Sequence, residues 1–253
     1  MLAIILSAGF GERLRPLTNK IPKVLIPVKG IPVIAFQIYN LKKYGVEDII
    51  INLHWLPNIV REVVGTGEDL GVKIEYFEEK DILGNGGTLL EIFRTKKVEK
   101  ILASNGDTIC DVAIDKLMKF HRENNSDATL VCCENSELSS IKVKNNRIIK
   151  ILPEGRGDFA FCGTQIVSNW ILDYGWKRNK PLTIVDIYRG YLSSKNIVAY
   201  KHNGFFADIG TLERLKLAEE TIENLPDFKR VREWSEPIVL RTKKSEASIA
   251  EQI

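Results

Sequence analysis

Leu2-Ala3-Ile4-Ile5-Leu6 is an unbroken apolar run that stops abruptly at Ser7-Ala8-Gly9. A run so short, with no polar face, suits a strand covered on both sides, and such strands belong to parallel sheets flanked by helices. The rest of the first half agrees with this. Residues 32–44 read as a helix, with Pro32 early and Gly45 just past the end. A strand is expected over 48–53, a helix over 57–64 stopped by Gly65, a strand over 73–78 and a helix over 88–97. Strand 100–104, helix 114–123 and strand 127–133 come next. The expected class is therefore α/β, a Rossmann-like and mainly parallel sheet with helices on its faces.

After residue 135 the pattern changes. Segments 141–144 and 147–152 flank Asn145-Asn146, a good hairpin turn. A strand over 159–167, a helix over 182–193, a strand pair formed by 197–202 with 205–209, and a helix over 211–224 capped by Thr211 complete an antiparallel portion. The expectation is one domain over 1–225, with an alternating half at 1–135 and an antiparallel half at 136–225. The charged stretch 226–253 reads as an extension. It carries Trp234 and Ile238-Val239-Leu240, enough apolar surface to pack on the domain or to make a homo-oligomer.

The residues after Leu6 suggest chemistry. Gly9 and Gly11 let the backbone turn sharply and bring amide groups close to a ligand. Arg13, Arg15, Lys20 and Lys23 then add fixed cations, and a polyphosphate needs many donors at once. Two familiar motifs are excluded. The dinucleotide fingerprint wants a Gly at position 14, which is Leu, and the Gly-Lys-Ser/Thr of a P-loop is absent. The remaining pattern is Gly9-x-Gly11-x-Arg13-Leu14, Pro16-Leu17-Thr18 and Pro22-Lys23-x-Leu25-x-Pro27-Val28. This resembles, nearly position for position, the signature of the sugar-1-phosphate nucleotidyltransferases, and the resemblance extends from Leu2 to about Ala218.

Asn105-Gly106-Asp107 comes directly after a strand, where ligands of open parallel sheets bind. Read alone, Asp107 either holds Mg²⁺ against phosphate oxygens or makes a turn. Asp208, in Ala207-Asp208-Ile209-Gly210-Thr211, either does the same or caps the next helix. The resemblance implies metal-binding roles for both, and a GT-A-like fold. It further implies that Leu6, Ala8, Gly9 and Gly11 contact the nucleotide, that Arg13 stabilises departing pyrophosphate, and that Lys23 neutralises charge near the α-phosphate.

Leu83-Gly84-Asn85-Gly86-Gly87-Thr88 is either a flexible connector or a loop for close backbone approach. It looks like the base-contacting loop of mannose- and heptose-phosphate guanylyltransferases, which implies nucleotide contacts for Asn85, Gly86 and Gly87. Gly163 lies inside a strand, where Gly is costly unless something must come close. Relatives keep a Gly under the sugar in a comparable strand, so Gly163 and Thr164 are candidates there, with Gln165 an alternative to Thr164. The usual Glu-Lys-Pro is absent, and Lys150 either takes over its role or is a solvated strand lysine.

The partners so implied are a nucleoside triphosphate and a sugar 1-phosphate, with Mg²⁺ as cofactor. GTP with mannose 1-phosphate or a heptose 1-phosphate is the leading pair. The alternatives are uridylyl transfer to glucose or amino-sugar 1-phosphates and a non-catalytic nucleotide-sugar sensor. Net charge is +3, from 36 basic and 33 acidic residues, which implies no nucleic-acid or membrane surface. Cys110, Cys132, Cys133 and Cys162 form no Cys-x-x-Cys, and His54, His121 and His202 have no ligand spacing. Buried thiols in a reducing cytoplasm are expected. The first apolar run is too short for a signal peptide, so a cytoplasmic protein is expected.

Overall fold

The computed structural model describes residues 1–178 and 180–251. In chain order it begins with β1 (Leu2–Leu6), the short strands β2 (Pro27–Val28) and β3 (Ile31–Pro32), α1 (Val33–Lys43), β4 (Asp48–Leu53), α2 (Pro57–Val64) and β5 (Lys73–Glu78). Next come α3 (Gly84–Lys96), β6 (Lys100–Asn105), β7 (Thr108–Cys110), α4 (Ile114–Glu123), β8 (Ala128–Cys133), β9 (Ser139–Lys144), β10 (Arg147–Ile151) and β11 (Phe159–Ser168). The chain continues through α5 (Ile184–Tyr191), β12 (Ile197–Lys201), β13 (Phe206–Asp208), α6 (Leu212–Thr221), α7 (Phe228–Trp234) and α8 (Glu236–Glu251).

The chain divides into two compact units, neither continuous in sequence. One comprises Ala3–Lys80, Asn105–Asp111 and the chain from Phe205 onward. Its strands β5, β4 and β1 lie side by side and parallel, with Ala3 opposite Ile49 and Ile51 opposite Tyr76. Ala3, Ile4 and Ile5 are wholly buried, as a strand covered on both faces requires. Helix α1 is buried along most of its length, through Val33, Ile34, Phe36, Ile38 and Leu41.

The extension is helical. Trp234 of α7 meets Tyr39 of α1 edge to face at 5.4 Å. Arg241 of α8 donates from Nε to the Val63 carbonyl at 2.6 Å and from Nη2 to the Val64 carbonyl at 3.3 Å, and it pairs with Asp69. A guanidinium from one helix thus satisfies the last carbonyls of another, where the helix dipole favours a cation.

The other unit comprises Met1–Leu2, Asp81–Ser104 and Val112–Gly204. Its strand order is β6-β11-β8-β12-β10-β9, antiparallel except where β12 runs parallel to β8. Asn145 and Asn146 have φ of 51° and 62° and make the tight turn of the β9–β10 hairpin. All four cysteines are buried, with no disulfide among them. Among the described residues no helix is long and apolar enough to cross a membrane.

Two expectations are corrected. The 197–202 and 205–209 segments do not pair with each other. Ile197, Val198 and Ala199 are buried, and β12 takes β8 and β10 as neighbours, while β13 pairs with β7. Helix α3 starts at Gly84 rather than Thr88, so the glycine-rich segment forms its first turn. Glycine disfavours a helix locally, but here packing overrides propensity.

Candidate active site

The pairing of β7 with β13 sets Asp208 opposite Thr108, and the Ile209 N–H bonds the Asp107 carbonyl at 3.2 Å. This short ribbon brings two carboxylates far apart in sequence to neighbouring strand ends. The glycine between Asn105 and Asp107 is forced by packing. Its N–H bonds the Leu6 carbonyl at 2.9 Å, and a Cβ on Gly106 would lie 2.7 Å from Ser7 Oγ and 2.8 Å from Val24 Cγ1.

The loop after β1 is held from beneath. Ser7 N–H donates to Asn52 Oδ1 at 2.6 Å, and Asn52 Nδ2 donates to Glu79 Oε1 at 2.7 Å, all buried. Gly11 has φ +68°, and a Cβ there would lie 2.6 Å from Thr18 Cγ2 and 3.2 Å from Lys23 Cβ. Thr18 Oγ1 returns a hydrogen bond to the Gly11 carbonyl at 2.8 Å, and Trp55 Nε1 donates to the Thr18 carbonyl at 2.9 Å. Gly9 borders open space, Ala8 is buried and Arg13 is exposed.

The charged groups interlock. Lys23 donates to Asp107 Oδ2, its side chain only 11% exposed. Asp208 Oδ1 accepts from the Gly210 N–H at 2.8 Å and from Arg214 Nη1 at 3.0 Å. Thr211 Oγ1, not Asp208, caps α6 by accepting from the Arg214 N–H at 3.3 Å. A Cβ on Gly210 would lie 2.7 Å from Asp208 Oδ1 and 3.1 Å from Arg13 Nη2, so Arg13 reaches the same turn. Gly11, Arg13, Lys23, Asp107 and Asp208 therefore form one contiguous cluster in the first unit.

Could this cluster hold a divalent cation? Oδ1 of Asp107 and Oδ2 of Asp208 take no part in these contacts. No group of three or more His, Cys, Asp or Glu side chains suited to a metal occurs among the described residues. Two carboxylates without a cage fit Mg²⁺, which usually takes one or two carboxylates with phosphates and water.

The chain matches the family model described as "Nucleotidyl transferase" over residues 2–224. It belongs to the nucleotidyl transferase family. Among its relatives, a mannose-1-phosphate guanylyltransferase of Mycobacterium tuberculosis is 33% identical over 128 residues, covering 51% of this chain and 36% of that protein. An N-acetylmuramate alpha-1-phosphate uridylyltransferase of Neisseria meningitidis is 30% identical over 227 residues, covering 87% of this chain and 97% of that one. The chain thus spans nearly the whole length of one relative and about a third of the other. The crystal structure of HddC from Yersinia pseudotuberculosis shares the fold, with a TM-score of 0.74 at 22% identity over 87% of this chain and 99% of that one.

The other candidates of this nucleotidyl transferase chain lie in the second unit. Gly86 and Gly87 are buried, and their N–H groups both point to the Leu182 carbonyl, at 2.9 and 3.3 Å. Asn85 Oδ1 accepts from the Ile184 N–H at 2.8 Å. A Cβ on Gly86 would lie 2.7 Å from the Thr183 carbonyl carbon, and one on Gly87 would lie 2.6 Å from the Trp176 ring. Trp176 and residues 182–184 thus account for these glycines by close packing. Gly163 has φ +81° at a bulge in the β11–β8 pairing, so backbone shape alone calls for glycine. Beside it Thr164 is buried, its Oγ1 3.3 Å from Ser104 Oγ, and buried Gln165 accepts from the Tyr188 hydroxyl at 2.5 Å. Lys150 is exposed on β10, opposite Lys142.

Arg214 and the Asn52–Glu79 support escape the motif reading. Asn52 had a visible signal, a polar residue ending the apolar run Ile49-Ile50-Ile51. Arg214 had a fainter one, a cation in the first turn of a helix, where the dipole disfavours it unless an anion is near.

Proposed function

We propose that this chain transfers a nucleotidyl group from a nucleoside triphosphate to a sugar 1-phosphate and releases pyrophosphate. The observation that carries this reading is the ribbon that sets Asp107 beside Asp208, with Lys23 on one carboxylate and the Arg13 guanidinium at the Gly210 turn.

In this reading the amides of the Ala8–Gly11 loop and Arg13 bind the triphosphate. A phosphate oxygen of the sugar 1-phosphate attacks the α-phosphorus, the bond from that phosphorus to the β-phosphate bridging oxygen breaks, and pyrophosphate carries away the electron pair. Arg13 stabilises the charge that collects on pyrophosphate, and Lys23 offsets charge at the α-phosphate. The nucleophile is already an anion, so no side chain need remove a proton. Asp107 and Asp208 would hold Mg²⁺, which when bound supplies charge neutralisation and alignment of phosphate oxygens. Asn85, Gly86 and Gly87 are proposed to face the base. Gly163, Thr164 and Lys150 are proposed to serve the sugar phosphate.

For the substrate pair, GTP with mannose 1-phosphate or a heptose 1-phosphate comes first, on the glycine-rich segment and the guanylyltransferase relatives. Uridylyl transfer to an amino-sugar phosphate is the second reading, favoured by the Neisseria relative that this chain matches over 97% of its length. Pyrophosphate release with Mg²⁺ tests both, using GTP, UTP, CTP, ATP and dTTP against a panel of sugar 1-phosphates. Turnover confined to one guanosine pair supports the first reading, and turnover confined to UTP supports the second. A folded protein silent across the panel overturns the catalytic reading.

A further inference from the structure

We infer that Arg214 is a resident countercharge for Asp208 that makes divalent-metal binding depend on the triphosphate. The inference rests on the reading of Asp107 and Asp208 as metal ligands. Arg214 is the third residue of α6, at the helix end whose dipole repels cations. It is held there by Asp208 at 3.0 Å, with the two side chains only 13% and 19% exposed, so salt screens the pair weakly. Asp107 is matched in the same way by Lys23. With Arg13 at the Gly210 turn, the two carboxylates and three cations sum to a charge of +1.

A divalent cation entering alone would raise this already positive cluster to a net charge of +3, beside two cations that each hold one oxygen of its carboxylate ligands. A triphosphate reverses the balance. Its oxygens offer Arg214 and Lys23 other anionic partners, and Asp208 and Asp107 are then released to the metal. Metal and triphosphate each raise the other's affinity by the same factor, as linkage requires. The cost of the countercharge is weak metal binding by the empty protein, and its benefit is that metal enters with its substrate.

Arg214→Gln removes the charge but leaves the cap of α6, which uses the Arg214 backbone N–H. Mn²⁺ serves as the probe, with bound and free ion distinguished by electron paramagnetic resonance. It is added alone and then as its preformed complex with inorganic tripolyphosphate, which avoids any choice of base. The wild-type protein should bind Mn²⁺ alone weakly. Arg214→Gln should bind it about tenfold more tightly, within the usual span of coupled sites, and the advantage of the complex should shrink by a similar factor. Arg214→Lys, which keeps the charge, should stay close to wild type. Unchanged or weaker Mn²⁺ binding in Arg214→Gln overturns the countercharge. Asp208→Asn separates the two claims: if it binds Mn²⁺ as the wild type does, the carboxylate reading itself fails. If it loses Mn²⁺ while Arg214→Gln is unchanged, only the countercharge fails.

Discussion

Asp107 and Gly11 make opposite demands on a substitution. Asp107 is partly exposed and its ion-pair partner is Lys23, so Asp107→Ala should keep the wild-type fold by circular dichroism while losing that ion pair. Pyrophosphate release should fall on the order of a hundred- to a thousandfold, the usual worth of one charge-stabilising group. Near-normal turnover would remove Asp107 from the site. Gly11→Ala should instead cost stability, about 1–3 kcal/mol in urea unfolding, because φ is +68° and the new methyl meets Thr18. The need for glycine at position 11 was readable from the motif, but its cause was not. The sequence suggested approach of a ligand, whereas the structure adds a positive φ and the Thr18 side chain. The first-turn cation Arg214 hinted at an anion, but which one was unreadable, because its partner lies six residues back across a turn whose shape only the β7–β13 pairing determines.

Elements were legible where one kind of periodicity ran undisturbed. Strand β1, helix α2 and the β9–β10 hairpin lie where apolar runs, Pro57 and Asn145-Asn146 put them. The failures have a common cause, since both depend on a distant neighbour. The 84–87 segment has a loop's composition yet is helical, because the Leu182 carbonyl accepts from the Gly86 and Gly87 N–H groups at an approach that only residues lacking Cβ allow. Gly86→Ala should therefore lower stability by about 1–3 kcal/mol, the usual cost of overpacking, read as a shift in urea midpoint. A midpoint equal to wild type would mean that the helix start yields at no cost. Helix α8 shows the converse. Its sequence is charged and lacks a clear stripe, but Arg241 makes it the cap of α2. Arg241→Ala should cost about 1.5–3 kcal/mol, the range for hydrogen bonds to a charged group, and amide exchange should quicken at the last turn of α2 before it does elsewhere.

At the scale of the whole molecule, the alternation of strands and helices was enough to give the fold class, because chain connectivity leaves few ways to cover a parallel sheet. What alternation could not reveal is how a buried titratable group ties the fold to pH. His121, on α4, is 2% exposed, with Nδ1 2.9 Å from Thr129 Oγ1 and Nε2 buried without a hydrogen bond. Burial, with a smaller contribution from Lys100, lowers its pKa from 6.5 to about 4. The unfolded chain therefore binds a proton at a pH where the folded one does not, and stability must rise with pH across that window. Above 6.5 the contribution is complete. It shrinks as pH falls from 6.5 towards 4, and below 4 both states are protonated and nothing further is lost. The total is at most about 3.5 kcal/mol, at roughly 1.4 kcal/mol per unit of pKa. Carboxylates also titrate near the lower end, so the measurement is a difference: wild type and His121→Gln are melted at intervals between pH 8 and 4. The gap between their melting temperatures should be constant above pH 7 and should move in favour of the variant as the buffer is acidified. A gap that stays constant throughout would mean that His121 is reached by water and carries its proton in the folded state as readily as in the unfolded chain.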